Sequence, residues 1–428
     1  MYDIIVIGAG AAGASFAFKM AKYAKVLLVE TNKENYFPKG TKVFPQHNHP
    51  FINEIEWENR EIYPRIHKII RYLGTEEEGI VNSEEFGEPF GNICYIENLL
   101  KELVKEYVNF GGIIKFNEKI HKIIKHNDYV EIINNKGESY QAKLLALATG
   151  SHSLELQKSI GFDIPDTYTG IYSHMYGDED KVNENLPIEY NFHINSKISR
   201  SGPFFMCKGQ STMGEDSRIF SGFLGSQHET EQEIYSKYES ILKNYKKIQP
   251  YIHGLKQEKP TLTKISKHSI KSFSQDRIIV LGEAAGLTTS FFYEGLVATL
   301  ASAEISAQTI IPLVEKNSDF NRTELKKIDD DLKRIVLNTY FKNNKASEYL
   351  FYNTNPSNIN KLFNTYAKLV NSNRKIREYI WEAHVTHQLE NYDVKGEFSR
   401  YFGEELYKKL SFTSKILLGP LFLKALFK

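Results

Sequence analysis

The stretch that most constrains this chain is its opening, MYDIIVIGAGAAGASFAFKMAKYAKVLLVE, residues 1 to 30. An apolar run (Ile4, Ile5, Val6, Ile7) ends at Gly8. Gly10 and Gly13 follow, then a helical pattern, a second apolar run (Val26 to Val29) and Glu30. The order predicts a strand, a tight turn, a helix and a second, parallel strand. Gly8 permits the turn, Gly10 lets backbone approach a pyrophosphate, and Gly13 lets the helix pack closely on the strand. The helix start offers free N–H groups and a positive dipole end to phosphates. Glu30 is placed to accept hydrogen bonds from a ribose, where its charge would repel a 2'-phosphate. A lone G-x-G-x-x-G is weak evidence. Lying between a strand and a helix, with an acidic residue about 20 positions on, it reads as a dinucleotide site with Gly8, Ala9, Gly10, Ala11, Ala12, Gly13 and Glu30 as contacts.

Length allows two or three structural units around a sizeable core. At 41% hydrophobic and 25% charged residues the composition is that of a soluble globular protein, and a formal net charge of +1 gives no sign of nucleic-acid binding. Cys94 and Cys207 stand far apart without a C-x-x-C partner. A disulfide framework and a zinc site are therefore not expected, and a reducing cytoplasm is the default. The first strand begins too early for a signal peptide, and no run reaches the roughly 18 apolar residues of a spanning helix. His47 and His49, two apart in a Pro-rich polar segment after Glu30, read as solvated loop histidines, since no third ligand accompanies them.

Further along, Ile96 to Asn109 is helical in pattern, with Ile96, Leu99, Leu100, Leu103 and Val104 on one face and Gly111 and Gly112 as the stop. The segments IIKF, KIHKII and YVEII read as short strands, with a hairpin turn at Asn134 to Gly137. KLLALATGS, residues 143 to 151, is a strand running into a glycine turn. No clear period marks residues 51 to 95. From about 155 to 270, alternating runs (Tyr190, Phe192, Ile194; GPFFMCKG at 202 to 209; IFSGFL at 219 to 224) predict an antiparallel sheet with one apolar face. RIIVLGEAAG then leads into a helix beginning near Gly295, with Leu296, Leu300, Ala303 and Ala307 on one side. Residues 313 to 428 are mostly helical in pattern, broken by NTNPSN.

The G-A-G-A-A-G opening, the A-T-G-S strand end and the later L-G-E-A-A-G together resemble flavoproteins of the p-hydroxybenzoate hydroxylase type, and within them the geranylgeranyl reductase family. The likeness covers most of residues 1 to 160 and 265 to 312. It implies an α/β fold: a Rossmann-like FAD-binding domain (1–155 and 271–312) whose parallel sheet carries a three-stranded β insert, an antiparallel-sheet substrate domain (156–270) and a helical C-terminal region (313–428). FAD is the implied cofactor. Glu283 stands where the family usually has the Asp that holds a ribitol hydroxyl. Gly282 and Gly286 would let the ring lie against backbone, and Gly295 and Leu296 would aim N–H groups at its pyrimidine edge. Lys39 and Gly40 are implied ring neighbours, and Ile120 joins the cofactor contacts. The middle sheet would roof the flavin, making Phe192, Phe204, Phe205, Phe220 and Phe223 substrate candidates; the alternative is that they form the sheet's own core. Two departures stand out: the loop after the second strand lacks the family's cysteine, and an arginine common at the start of the middle helix is replaced around Ile96 and Glu97.

The resemblance implies reduction of carbon-carbon double bonds in an isoprenoid or other apolar substrate, with Tyr293 and Glu294 as proton-source candidates unless they merely cap the helix. The rivals are an FAD-dependent monooxygenase, a flavin-bearing electron carrier and a non-redox flavin cyclase. No second G-x-G-x-x-G occurs downstream, which leaves NAD(P)H bound transiently, or a ferredoxin acting as redox-protein donor, as reductant. The tail YKKLSFTSKILLGPLFLKALFK (407–428) has five lysines and no acidic residue. It suits either peripheral contact with an anionic membrane surface on the inner face or docking on the protein itself.

Overall fold

A computed structural model describes residues 1–34, 36–44, 59, 62–63, 65–186, 189–209, 217–386 and 396–425. His47 and His49 lie outside the described residues.

The opening apolar runs become the centre of an eight-stranded sheet. Its path runs Ser274–Gln275, Ile278–Val280, Ser139–Leu147, Tyr2–Ile7, Val26–Val29, Ile113–Lys115. The last five of these strands are mutually parallel, with Ile4 beside both Leu144 and Val26. Helices cover such a sheet, so its strands are apolar without alternation: Ile4, Ile5, Leu27, Leu28, Leu144 and Leu145 are fully buried. Helix Ala11–Ala21 packs between Leu296–Glu315 and Ile96–Asn109. The middle helix buries Leu99, Leu100, Leu103 and Val104 as the pattern predicts. Leu296–Glu315 is also the one described helix long and apolar enough to cross a bilayer, and 67% of its most apolar window is buried inside the protein. It is a core helix.

IIKF is a strand as read, Ile113–Lys115, and pairs parallel with Val26–Val29 at the sheet edge. The three-stranded insert is Ile120–Lys125, Val130–Asn134 and the leading part of Ser139–Leu147, turned at Asn134 to Gly137, where the Gly137 N–H donates to the Asn134 carbonyl at 3.1 Å. A three-residue apolar run looks the same whichever partner it takes, so its place was set by tertiary contact.

The second sheet is also eight-stranded, in the order Lys256–Gln257, Asp166–Gly177, Ser217–Leu224, Phe204–Gly209, Glu189–His193, Ile69–Leu73, Glu78–Asn82, with Thr261–Lys267 pairing Asp166–Gly177. Two of its strands come from the region that showed no period. Ile69–Leu73 lies parallel to Glu189–His193, and its Arg71 pairs with the buried Glu189 at 2.9 Å. A charge held in this way hides the alternation of a five-residue strand.

Alternation gives this sheet two different faces. Ile171, Met175, Phe204, Met206, Ile219 and Phe223 pack with Ile234, Tyr238 and Ile241 of helix Glu231–Asn244. The opposite face, carrying Tyr172, His174, Arg218, Phe220, Phe205 and Cys207, looks towards strand Thr41–Phe44 and the start of the middle helix. There Cys207 Sγ lies 3.8 Å from the Thr41 carbonyl. Thr41–Phe44 forms a small antiparallel sheet with Gly91–Tyr95 and Arg65–His67.

The remainder is helical: Arg322–Leu332, Lys333–Phe341, Lys342–Tyr352, Pro356–Ser372, Arg374–Thr386, Glu397–Lys409 and Phe412–Ala425. The NTNPSN break is a helix start, with Asn355 capping and Pro356 in the first turn. Helix Pro356–Ser372 lies on Glu78–Asn82, where Asn364 accepts from the Glu76 and Glu77 N–H groups and Asn371 from that of Ile80.

Candidate functional site

Three glycine-bearing turns meet at the carboxyl ends of the parallel strands, where open α/β sheets bind ligands. In the first, Gly8 has φ +100, and a Cβ there would sit 2.4 Å from the Ala148 carbonyl oxygen. A Cβ on Gly13 would lie 1.8 Å from the Gly8 oxygen, so this glycine is what allows the helix to approach the strand. Gly10 differs: a Cβ there would meet nothing within 4 Å. It caps helix Ala11–Ala21 and borders open space, as a residue passed by a pyrophosphate must. Glu30 closes this end. One carboxylate oxygen accepts the Ala9 N–H at 2.7 Å, and the other accepts both the backbone and side-chain N–H of Asn32 at 2.8 Å. Ile120 is buried just beyond Glu118, whose N–H donates to the Glu30 carbonyl at 2.9 Å.

The second turn is Gly282 to Gly286. Gly282 has φ +60, and a Cβ there would come 2.8 Å from the Ala12 Cβ, which seats this turn directly on the first. The Glu283 carboxylate accepts the Ser266 N–H at 3.3 Å, and Ser266 Oγ shares a 2.7 Å hydrogen bond with Ser151 Oγ of the third turn. Gly295 caps helix Leu296–Glu315, which packs directly against helix Ala11–Ala21. Glu294 accepts the Val297 N–H at 3.2 Å. That is the capping role, and it removes one carboxylate oxygen from other duties.

Tyr293 is held differently. Its backbone is left-handed (φ +57), a strained state for a bulky side chain. Its hydroxyl is buried without a hydrogen-bond partner among the described residues. Gly202 makes room for it: a Cβ there would lie 1.3 Å from Tyr293 Oη. Burial pushes this phenol well above the usual tyrosine range, so it keeps its proton.

The five phenylalanines expected at the substrate separate into two groups. Phe192, Phe205 and Phe220 lie on one face, where Phe192 is buried beside the C-terminal apolar cluster and meets Phe292 of the loop before Leu296–Glu315 at 4.9 Å. Phe204 and Phe223 are on the opposite face, stacked on Tyr238 at 6.0 and 6.4 Å. For those two the core alternative holds, because strand alternation puts each on the other side from its neighbours Phe205 and Gly222.

Two polar residues on the same face as Phe205 and Phe220, Arg218 and His174, went unread in the sequence. Arg218 pairs with Glu97 at 2.6 Å, donates to the Gly40 carbonyl at 3.2 Å and lies over the Tyr95 ring at 4.0 Å. The Gly40 N–H donates to the other Glu97 oxygen at 3.1 Å. A guanidinium thus does stand at the start of the middle helix, delivered from the second sheet. His174 is buried, its Nδ1 3.2 Å from Glu258 and its Nε2 without a partner among the described residues. Burial, with Arg218 and Lys39 nearby, drops its pKa to about 3, so the ring is neutral. Lys39 bonds Tyr176 Oη at 3.0 Å. The signal for this group was the every-second-residue series Tyr172, His174, Tyr176.

Residues 2–184 match a family model described as pyridine nucleotide-disulphide oxidoreductase. No curated sequence matches the chain. Among solved structures, a geranylgeranyl bacteriochlorophyll reductase-like protein from Thermoplasma acidophilum superposes with a TM-score of 0.73 at 17% identity, covering 96% of this chain and 99% of that one. The p-nitrophenol 4-monooxygenase PnpA from Pseudomonas putida gives 0.69 at 15%, covering 91% and 98%. A halogenase, PltM, in complex with FAD gives 0.68 at 14%, covering 99% and 96%. The chain has the fold of the FAD-dependent oxidoreductases. In this flavoprotein fold the residues present fit the cofactor: open space at Gly10, a carboxylate at the end of the second strand, and the Gly282 turn seated directly on the first turn. Glu283 stands in this turn in place of the Asp implied by the resemblance and accepts the Ser266 N–H. At these identities the superpositions carry the architecture and not the reaction.

Proposed function

We propose that this chain reduces carbon-carbon double bonds of an isoprenoid or other apolar, lipid-like substrate. The observation that supports it most is one face of the second sheet, where Tyr190, Phe192, Phe205 and Phe220 join Phe292 in a continuous aromatic series. An aromatic surface of this kind excludes water and accepts an alkyl chain without unpaired polar groups. FAD, when bound and reduced, supplies hydride for one alkene carbon.

The chain supplies the rest. Gly8 to Gly13 and Glu30 hold the dinucleotide, and the helix start at Gly295 and Leu296 holds negative charge at the pyrimidine edge. Tyr293 gives its hydroxyl proton to the second alkene carbon, and the phenolate is reprotonated from bulk water once the product has left, which balances the addition. Glu294 positions the helix start. The reductant is NAD(P)H bound transiently or a ferredoxin.

The test is a single turnover without oxygen: FAD-loaded protein reduced with dithionite, then given geranylgeraniol. A product heavier by added hydrogen supports the reading; unchanged substrate opposes it. A monooxygenase is the second reading, favoured by the neutral His174 beside Arg218, an arrangement suited to a phenol. Repeating the turnover in air with p-nitrophenol decides it, since that reaction adds an oxygen atom.

A further inference from the structure

Among the described residues, twelve large apolar side chains are exposed, and four of them are on one helix: Phe412 (78% exposed), Ile416 (62%), Leu417 (60%) and Leu423 (63%). At 3.6 residues per turn Phe412, Ile416 and Leu423 fall within about 40° of one another, and Pro420 and Leu417 widen the exposed arc to about 140°. The other side of this helix is docked. Leu418 is buried in the C-terminal apolar cluster, and Phe422 meets Tyr407 at 5.2 Å. Helix Phe412–Ala425 therefore carries apolar side chains on its uncovered side as well as its covered one, which for a helix on a soluble surface leaves a face without its partner.

The charges around it identify the partner. From Leu406 to the last residue the chain has five lysines and no aspartate or glutamate. Lys408 pairs with Glu405, whereas Lys409, Lys415 and Lys424 have no ion-pair partner among the described residues. A second copy of this chain would bring two sets of these lysines together. Its four anchors also offer on the order of 400 Å² per copy, against about 800 Å² in a stable interface. At 14 residues the helix is too short to cross a bilayer of about 30 Å, but it can lie flat in the headgroup layer.

We infer that the outward face of Phe412–Ala425 docks on a bilayer containing anionic lipid. Phe412, Ile416, Leu417 and Leu423 enter the interface while Lys409, Lys415 and Lys424 meet the headgroups. The inference does not depend on the reaction proposed above, and its test reads binding without activity.

The full-length, FAD-loaded protein is floated with vesicles of phosphatidylcholine alone or with phosphatidylglycerol added. The wild type is expected to float with the anionic vesicles and to be released as salt is raised. A triple variant, Phe412→Ser, Ile416→Ser, Leu423→Ser, is expected to stay behind, with its melting temperature and flavin absorbance unchanged because all three side chains are exposed. Lys415→Glu with Lys424→Glu should weaken flotation roughly tenfold or more. Failure to float with anionic vesicles, equal flotation of the triple variant, or a solution dimer that the triple variant dissolves would each overturn the inference.

Discussion

Gly10 and Gly13 belong to one motif, yet their replacement should have opposite consequences. Alanine at Gly13 would press on the Gly8 carbonyl, and about 2 kcal/mol or more of stability should be lost in a denaturant titration. Alanine at Gly10 meets nothing inside the protein, so stability should hold while FAD affinity, followed by flavin fluorescence, falls. Tyr293→Phe removes a hydroxyl that bonds to nothing described, so the fold and bound flavin should persist. If the proton leaves from there, single-turnover reduction should slow roughly 10²-fold or more. Gly202→Ala should produce the same slowing by displacing the ring. Glycines of this kind were legible because the need for a missing side chain is local to the turn. Arg218 was not, since its partners Glu97 and Gly40 lie more than a hundred residues away.

At the level of elements, legibility followed length and exposure. The Ile96–Asn109 helix carries its period over four turns, and its limits were readable to the residue. Ile69–Leu73 and Glu78–Asn82 are five residues each and were not, because a charged pair and two asparagines from a distant helix complete them. The Arg218–Glu97 pair ties the second sheet to the start of the middle helix with both side chains nearly buried. Arg218→Leu leaves that carboxylate without its partner and should cost about 3 kcal/mol or more, read by chemical denaturation. Arg218→Leu combined with Glu97→Leu should recover part of the loss, which a double-mutant comparison would show.

Across the whole molecule, the C-terminal helices are fastened to the second sheet by charge. Lys267 on the sheet meets Glu348 of Lys342–Tyr352 at 2.5 Å, and His268 lies between Glu348 at 3.2 Å and Asp166 at 3.0 Å. The hydrogen bond to Glu348, aided by Asp166, raises His268 above its ordinary value against the opposing effect of burial. A histidine raised on folding stabilises the native state below its unfolded pKa, and that contribution is lost as pH climbs through the raised value. The melting temperature should therefore decline as pH rises from about 6 towards 8. His268→Gln should flatten that slope. None of this was readable from the chain alone, where these groups lie in separate segments of ordinary polar composition.

The strand Ile69–Leu73 reaches the second sheet before the chain has finished the first, returning afterwards to complete it with Ser139–Leu147 and Ile278–Val280. Neither half is a contiguous piece of polypeptide, so neither can be excised, swapped or grafted as a cassette.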